Sequence, residues 1–227
     1  MSDHRYGTSG LRHAVRLTVL VLGAACAGCL SGAFDSELPP QHVYVLSPLP
    51  ATAGDATPLP VGLTVARPTA RPGLDTNRIA LRQPDRRLDY YAAARWGAET
   101  QVVVQDLLIQ SLRNTGRLTT VQGDLSPFVV DYVLQTDLAD FQAEYAGSGA
   151  NPLVRVTLVC TVGRVKDRKP LADFVAAATA PAGTNSLGAV VQAFETAYQQ
   201  AARIAVDETL KALTAAAPPA AAAAADH

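Results

Sequence analysis

Two cysteines, Cys26 and Cys29, follow three arginines and a largely apolar run, and a thiol in that setting is a substrate for lipid attachment rather than a catalyst. Arg5, Arg12 and Arg16 form a cationic leader, and Leu17 to Ala25 is apolar but too short to span a bilayer. Small residues then precede each cysteine, so that a diacylglycerol-transferring enzyme and a specialised peptidase can reach the thiol and the bond before it. Cys29, behind Ala27-Gly28, is the first choice for the lipidated residue. Cys26, behind Gly23-Ala24-Ala25, is the alternative. The competing reading is an ordinary cleaved secretory signal in which both cysteines are incidental. Acyl chains supply about 0.8 kcal/mol per buried CH₂, so several on one cysteine would hold the chain at a membrane.

Other reactive residues lack the neighbours that chemistry needs. Histidine occurs at positions 4, 13, 42 and 227, which leaves one before the first strand and one at the chain end once a signal is removed. A histidine-based triad or metal cluster has nothing to assemble from. Ser148, in Gly147-Ser148-Gly149, has no strand-turn-helix setting and reads as a hairpin loop. Cys160 lies on the apolar parity of a strand, where it reads as a small buried hydrophobe. No phosphate loop is present either. The chain is therefore expected to be no enzyme and to need no cofactor.

One constellation could bind rather than react. Arg67, Arg71, Arg78, Arg82, Arg86, Arg87 and Arg95 are interleaved with Asp75, Asp85 and Asp89. The bland reading is an exposed, internally paired surface, each pair contributing about 0 to 1 kcal/mol. The sharper one is that Arg82, Arg86 and Arg87 project from a hairpin toward phosphate headgroups or an acidic partner, since planar guanidiniums grip such groups bidentately. Trp96, with Tyr90 and Tyr91 before it, poses a parallel choice between a packing anchor and an interface residue.

The 227 residues are 48% hydrophobic with a formal net charge of −1, and the leader's arginines leave the mature part more acidic still. One well-buried domain follows, and nucleic acid is not an expected partner. With Cys29 acylated, Cys160 is the remaining thiol, so core packing must stabilise the fold without a disulfide. The expected organisation is a lipoprotein signal over 1–28, a tether over 29–41, a folded domain over 42–213 and a disordered Pro/Ala-rich tail over 214–227.

Within the domain, Val43-Tyr44-Val45-Leu46 and Val61 to Ala66 read as strands bounded by prolines, and Ile79–Arg82 with Leu88–Tyr91 as a hairpin around Gln83-Pro84-Asp85. From Gly97 to Asn114 the period lengthens: Val104, Leu108 and Leu112, with Leu107 beside them, make an amphipathic helix that Gly116 can close. Leu118 to Val121 is a short strand. Asp131 to Glu144 is a longer one whose apolar parity switches before Phe141, the mark of a bulge. Leu153 to Lys166 alternates cleanly, a charged turn follows, and Leu171 to Ala178 returns beside it. Ser186 caps a long helix through Leu187, Val191, Phe194, Tyr198, Ala202, Val206, Leu210 and Leu213. These elements predict an α/β two-layer sandwich, a mainly antiparallel sheet with two long helices on one face.

The chain resembles the ABC-type transport auxiliary lipoproteins of the PqiC-like family. The likeness runs from the lipobox and His42-Val43-Tyr44-Val45-Leu46 through the block Val61 to Arg82, then Leu88-Asp89-Tyr90, Trp96-Gly97-Ala98-Glu99 and Val102 to Leu112. The tyrosine-to-tryptophan block carries most of its specificity. Here Tyr91 doubles the tyrosine, and Glu99-Thr100 stands where such chains have a proline-containing helix start. The resemblance implies a non-catalytic auxiliary subunit of an MCE/ABC-type intermembrane lipid transport system. Its partners would be an MCE-domain protein with its permease and ATPase, and it would sit lipid-anchored on the periplasmic face of the outer membrane, singly or as a homo-oligomer. Neither Ala27 nor Leu30, the candidate second mature residues, is the aspartate that favours inner-membrane retention. Two other roles stand beside this one: a direct lipid or lipoprotein carrier, which needs an apolar cavity, and a structural envelope lipoprotein.

Overall fold

The computed structural model describes residues 41–51, 57–147 and 149–217. Cys26, Cys29, the signal, all of the tether before Gln41, Ser148 and residues 218–227 lie outside them. Among the described residues the elements in chain order are β1 (His42–Tyr44), β2 (Leu59–Val65), β3 (Thr69–Ala70), β4 (Arg78–Arg82), β5 (Leu88–Trp96), α1 (Thr100–Asn114), β6 (Leu118–Gly123), β7 (Tyr132–Glu144), β8 (Leu153–Arg164), β9 (Lys169–Pro181) and α2 (Leu187–Ala216).

All nine strands join one open, mixed sheet organised on β7. On one edge β7 pairs antiparallel with β8, which pairs antiparallel with β9, and these long ladders dominate the sheet. On its other edge three short strands dock in succession and in parallel: β2 at Tyr132–Leu134, β3 at Asp137–Leu138 and β4 at Ala143–Glu144. The expected parity switch is real, for the β7–β8 register shifts between Leu138 and Asp140. That bulge lets both Leu138 and Phe141 point into the core.

Alternation decides which face is covered. Val154, Val156, Leu158, Cys160 and Val162 of β8 are all fully buried, whereas Val159 and its cross-strand neighbour Val175 are half exposed on the opposite face. Both helices pack on the buried side and touch each other. α1 presents Val104, Leu107, Leu108 and Leu112, and α2 a stripe rich in alanine (Ala193, Ala197, Ala201, Ala205) flanked by Phe194, Tyr198 and Leu213. Small side chains in the stripe allow the helix to lie close on the sheet, where Ala176 and Ala180 of β9 face it.

The helix ends are closed by chemistry of two kinds. Ser186 caps α2, its Oγ accepting from the Ala189 N–H at 3.4 Å, as its type and place predict. α1 has no side-chain cap; the Thr100 N–H and Oγ1 donate instead to the Thr76 carbonyl at 3.0 and 2.7 Å. At its other end Gly116 takes φ +62°, and Arg113 donates twice to the Val121 carbonyl.

Several boundaries differ from expectation. β1 stops at Tyr44 because the chain then leaves the sheet: the Leu49 N–H donates to Ser111 Oγ at 3.0 Å and Asn114 Nδ2 to the Leu49 carbonyl at 2.7 Å, which carries Leu46 and Leu49 onto α1. β5 runs five residues past Tyr91 because Ala93, at φ +53°, allows a bulge; beyond it the strand gains β1 as a parallel neighbour. Trp96 therefore closes a strand instead of opening the helix. β3 was not expected, being two residues whose pairing is imposed by β7. α2 continues to Ala216.

Candidate functional site

The arginine-bearing hairpin is built by the β4–β5 ladder and a short turn. Gln83 donates its N–H to the Arg87 carbonyl at 2.8 Å, Arg86 to the Gln83 carbonyl at 2.9 Å, and Asp85 Oδ1 accepts from the Arg87 N–H at 3.1 Å. Pro84 presets the first corner, and Arg86 occupies the left-handed position at φ +70° where glycine is usual. A three-residue loop of this kind holds its residues in one arrangement. Arg86 is thus displayed at the tip, exposed to solvent.

The seven arginines do not form one cluster. Arg82, Arg86 and Arg87 meet at the turn, whereas Arg78 and Arg95 pair with each other in register at the far end of the hairpin, and Arg67 joins Glu99 at 2.6 Å. Arg87 is fixed beside Asp89 (3.0 Å) and Asp85 (3.6 Å), which raises its pKa above the ordinary guanidinium value chiefly through the hydrogen bond to Asp89. Arg78 lies 4.1 Å over the ring of Tyr90, whose hydroxyl donates to the Gly73 carbonyl at 3.1 Å. Tyr90 is consequently half-buried and spoken for on both face and tip.

Arg82 belongs to a network that spacing could not reveal. Its Nη2 lies 2.6 Å from Glu144 Oε1 at the end of β7, and Arg155 of β8 reaches the same carboxylate through Nε at 3.0 Å and Nη2 at 3.3 Å. Gln142 adds a fourth donor. Burial by itself would push the Glu144 carboxyl up, but the hydrogen bonds from Arg155 and Gln142 and the charges of Arg155 and Arg82 outweigh it and hold the pKa below the ordinary 4.5. A carboxyl with a depressed folded-state pKa contributes stability that is complete above its unfolded value and disappears as pH falls through the folded one. Glu144→Gln is therefore expected to cost about 1–2 kcal/mol at pH 7. Thermal melts should show the gap between wild type and variant closing below roughly pH 4; a gap that persists there would mean the charge is not its source.

Beside the turn lies an open cleft of about 510 Å³ lined by Leu81, Gln83, Pro84, Tyr145 and Asn185. Its wall holds a hydroxyl chain: Tyr91 OH lies 3.0 Å from Tyr145 OH, which donates to Asn185 Oδ1 at 2.7 Å. Burial, and then the contact with Tyr145, pushes the Tyr91 phenol well above its usual range, so it stays protonated. Tyr145 and Asn185 carried no sequence signal, since only the fold of β7 and the loop before α2 brings them to Tyr91.

Trp96 is 1% exposed. Its ring makes edge-on contacts with Phe141 of β7 at 5.9 Å and with Phe194 of α2 at 5.2 Å between centroids, and the two phenylalanines lie 5.2 Å apart. Of the two roles open to it, packing is the one this position permits. Cys160 is fully buried 3.9 Å from Thr136 Oγ1, and burial pushes its thiol up to about 11, which keeps it protonated and unreactive at neutral pH. Among the described residues no group of three or more His, Cys, Asp or Glu could hold a metal ion, and no helix is long and apolar enough to cross a membrane. What the hairpin can do chemically is offer exposed guanidiniums to anionic or hydrogen-bonding surfaces.

A family model described as the ABC-type transport auxiliary lipoprotein component matches residues 44–205. No curated protein matches the chain in sequence. Among solved structures, a crystal structure of a Xanthomonas campestris protein superposes with TM-score 0.69 at 24% identity, covering 77% of this chain and 98% of its own. An uncharacterized protein superposes with TM-score 0.57 at 12% identity, covering 74% and 98%. At those identities the likeness is one of fold.

Proposed function

The chain belongs to the ABC-type transport auxiliary lipoprotein family, and from that premise we propose that it is a non-catalytic, lipid-anchored subunit of an intermembrane lipid transport system. In this reading acyl chains on Cys29, or on Cys26, hold the domain at the periplasmic face of the outer membrane. There it docks an MCE-domain protein that works with an ABC permease and ATPase. The observation that carries the proposal is the extent of the family match, which takes in every element from the end of β1 to most of α2. The exposed guanidiniums of the hairpin supply the binding groups an adaptor would use.

The docking surface in this proposal is the hairpin turn, with Arg86 and Arg87 as its contacts, Arg82 holding the turn to Glu144 and the adjoining cleft receiving partner side chains. Charge-assisted hydrogen bonds of this kind contribute about 1.5–3 kcal/mol each. In capture experiments from solubilised envelopes, the full lipidated chain should recover the MCE-domain protein with its permease and ATPase. Arg86→Gln with Arg87→Gln should reduce that recovery at least about tenfold at unchanged melting temperature, because exposed substitutions away from packing sites cost little stability. Unreduced recovery removes the hairpin from the proposal, and no recovery by the wild type removes the MCE partner.

A carrier would need an internal apolar cavity. The space between sheet and helices is filled by Trp96, Phe141, Phe194 and Tyr198, each less than 2% exposed. Stoichiometric lipid on the extracted protein in native mass spectrometry would restore that alternative.

A further inference from the structure

The loop between β6 and β7 exposes three large apolar side chains: Leu125 at 96%, Val129 at 91% and Phe128 at 75%. A floppy loop could do so by chance, but this one is fastened along its length. Gln122, itself 7% exposed, donates to the Phe128 carbonyl at 2.6 Å and accepts from Ser126 Oγ at 2.8 Å. Asp124 at one end accepts from Gln105 Nε2 at 2.8 Å and from the Arg67 N–H at 3.4 Å. Asp131 at the other end accepts from the Gly62 N–H at 3.1 Å. Between them Val130 lies so close over β2 that a Cβ at Gly62 would come within 2.8 Å of its Cγ1. The loop crosses the sheet only because residue 62 is glycine. A fixed loop that shows three such side chains to water presents an apolar tip.

The neighbour of that tip is basic. The Val165 N–H donates to the Asp131 carbonyl at 2.9 Å, which places the β8–β9 turn beside the loop at the same end of the sheet. That turn, residues 164–169, carries Arg164, Lys166, Arg168 and Lys169 against Asp167, with Val165 among them and Arg168 at φ +54° at its corner. Arg164 pairs with Asp167 at 3.3 Å; among the described residues no carboxylate lies within ion-pair distance of Lys166, Arg168 or Lys169. The two acidic residues of the loop meanwhile turn toward protein N–H groups. Apolar side chains projecting beside unpaired cations match the depth profile of a bilayer with anionic lipid, hydrocarbon below and phosphate at the rim.

We propose that this end of the domain, with Leu125, Phe128 and Val129 as the inserted tip and Lys166, Arg168 and Lys169 as the headgroup contacts, is a second membrane-binding site independent of acylation. It would orient the anchored domain on an anionic phospholipid surface, leaving the arginine hairpin as a separate feature. Each basic residue near such a surface multiplies partitioning about fivefold.

The test compares the full lipidated chain on vesicles of phosphatidylcholine alone with the same chain on vesicles containing one-quarter phosphatidylglycerol, read by hydrogen exchange. On the anionic vesicles residues 124–130 and 165–169 should exchange about tenfold more slowly or better, while 43–46 stay unchanged. Leu125→Ser, Phe128→Ser and Val129→Ser together should abolish the protection without lowering the melting temperature, and Lys166→Gln, Arg168→Gln and Lys169→Gln should remove its dependence on phosphatidylglycerol. Equal exchange on both vesicle types overturns the proposal. So does protection that arises only when envelope proteins are added, which would make the tip a protein-docking loop. Flotation with phosphatidylcholine vesicles reports the acyl anchor separately, so failure of one attachment is distinguishable from failure of the other.

Discussion

Trp96→Ala is expected to destabilise the domain by about 3–5 kcal/mol, the range for removing a fully buried large aromatic. The indole is almost entirely enclosed and touches two phenylalanines from different elements, Phe141 on the central strand and Phe194 on the long helix. Truncation forfeits the transfer free energy, leaves a cavity bounded by rigid sheet and helix, and removes two edge-on aromatic contacts of about 0.5–1.5 kcal/mol each within that total. Set against a typical overall stability of about 5–15 kcal/mol, the melting temperature should fall by roughly 10 °C. Circular dichroism melts provide the measurement. Because the chain has a single tryptophan, its emission in the wild type should also be blue-shifted and shift to the red only on unfolding. A drop of less than about 2 °C would place the ring outside the core, whereas partner capture lost without destabilisation would make it an interface residue.

The second large effect concerns attachment. Replacing Cys26 and Cys29 together by serine is expected to abolish incorporation of labelled palmitate and to release the chain from the tight membrane-bound state, because serine cannot form the thioether that carries the diacylglycerol. One acyl chain gives only marginal, reversible binding, with an association constant on the order of 10⁴ M⁻¹, whereas two or more make release negligible. The single variants separate the candidates: Cys29→Ser should abolish labelling and Cys26→Ser preserve it. The reverse pattern assigns the anchor to Cys26, and unaltered labelling in the double variant would remove both cysteines as its site. Any vesicle affinity left in the double variant that depends on anionic lipid measures the apolar and basic end of the domain.

Much of this architecture was legible in the residues because the signals are local. The strict alternation of β8 set which side chains are buried, the 3.6-residue period set the helix faces, and Ser186 and Gly116 marked ends through their own backbone chemistry. The parity switch before Phe141 foretold the β7 bulge. Local periodicity says nothing, however, about which segments meet. Glu144 lies 62 residues from Arg82 in the chain, yet the two meet because β4 docks on the end of β7. Nor did it separate a helix-opening tryptophan from one that ends a strand, since the bulge at Ala93 is a left-handed residue without a glycine to announce it. The apolar run Phe128-Val129-Val130 fits neither period, and that misfit was the available sign of a loop with exposed side chains.

Residue types and short-range spacing were enough for most element types and for the buried faces, because both are local properties of the chain. Only the folded chain shows that the arginines divide between a turn, a tyrosine face and a half-buried carboxylate, and that an apolar loop stands beside a basic turn. Such pairings are fixed by strand register, and register is selected by the collective filling of one core by residues far apart along the chain.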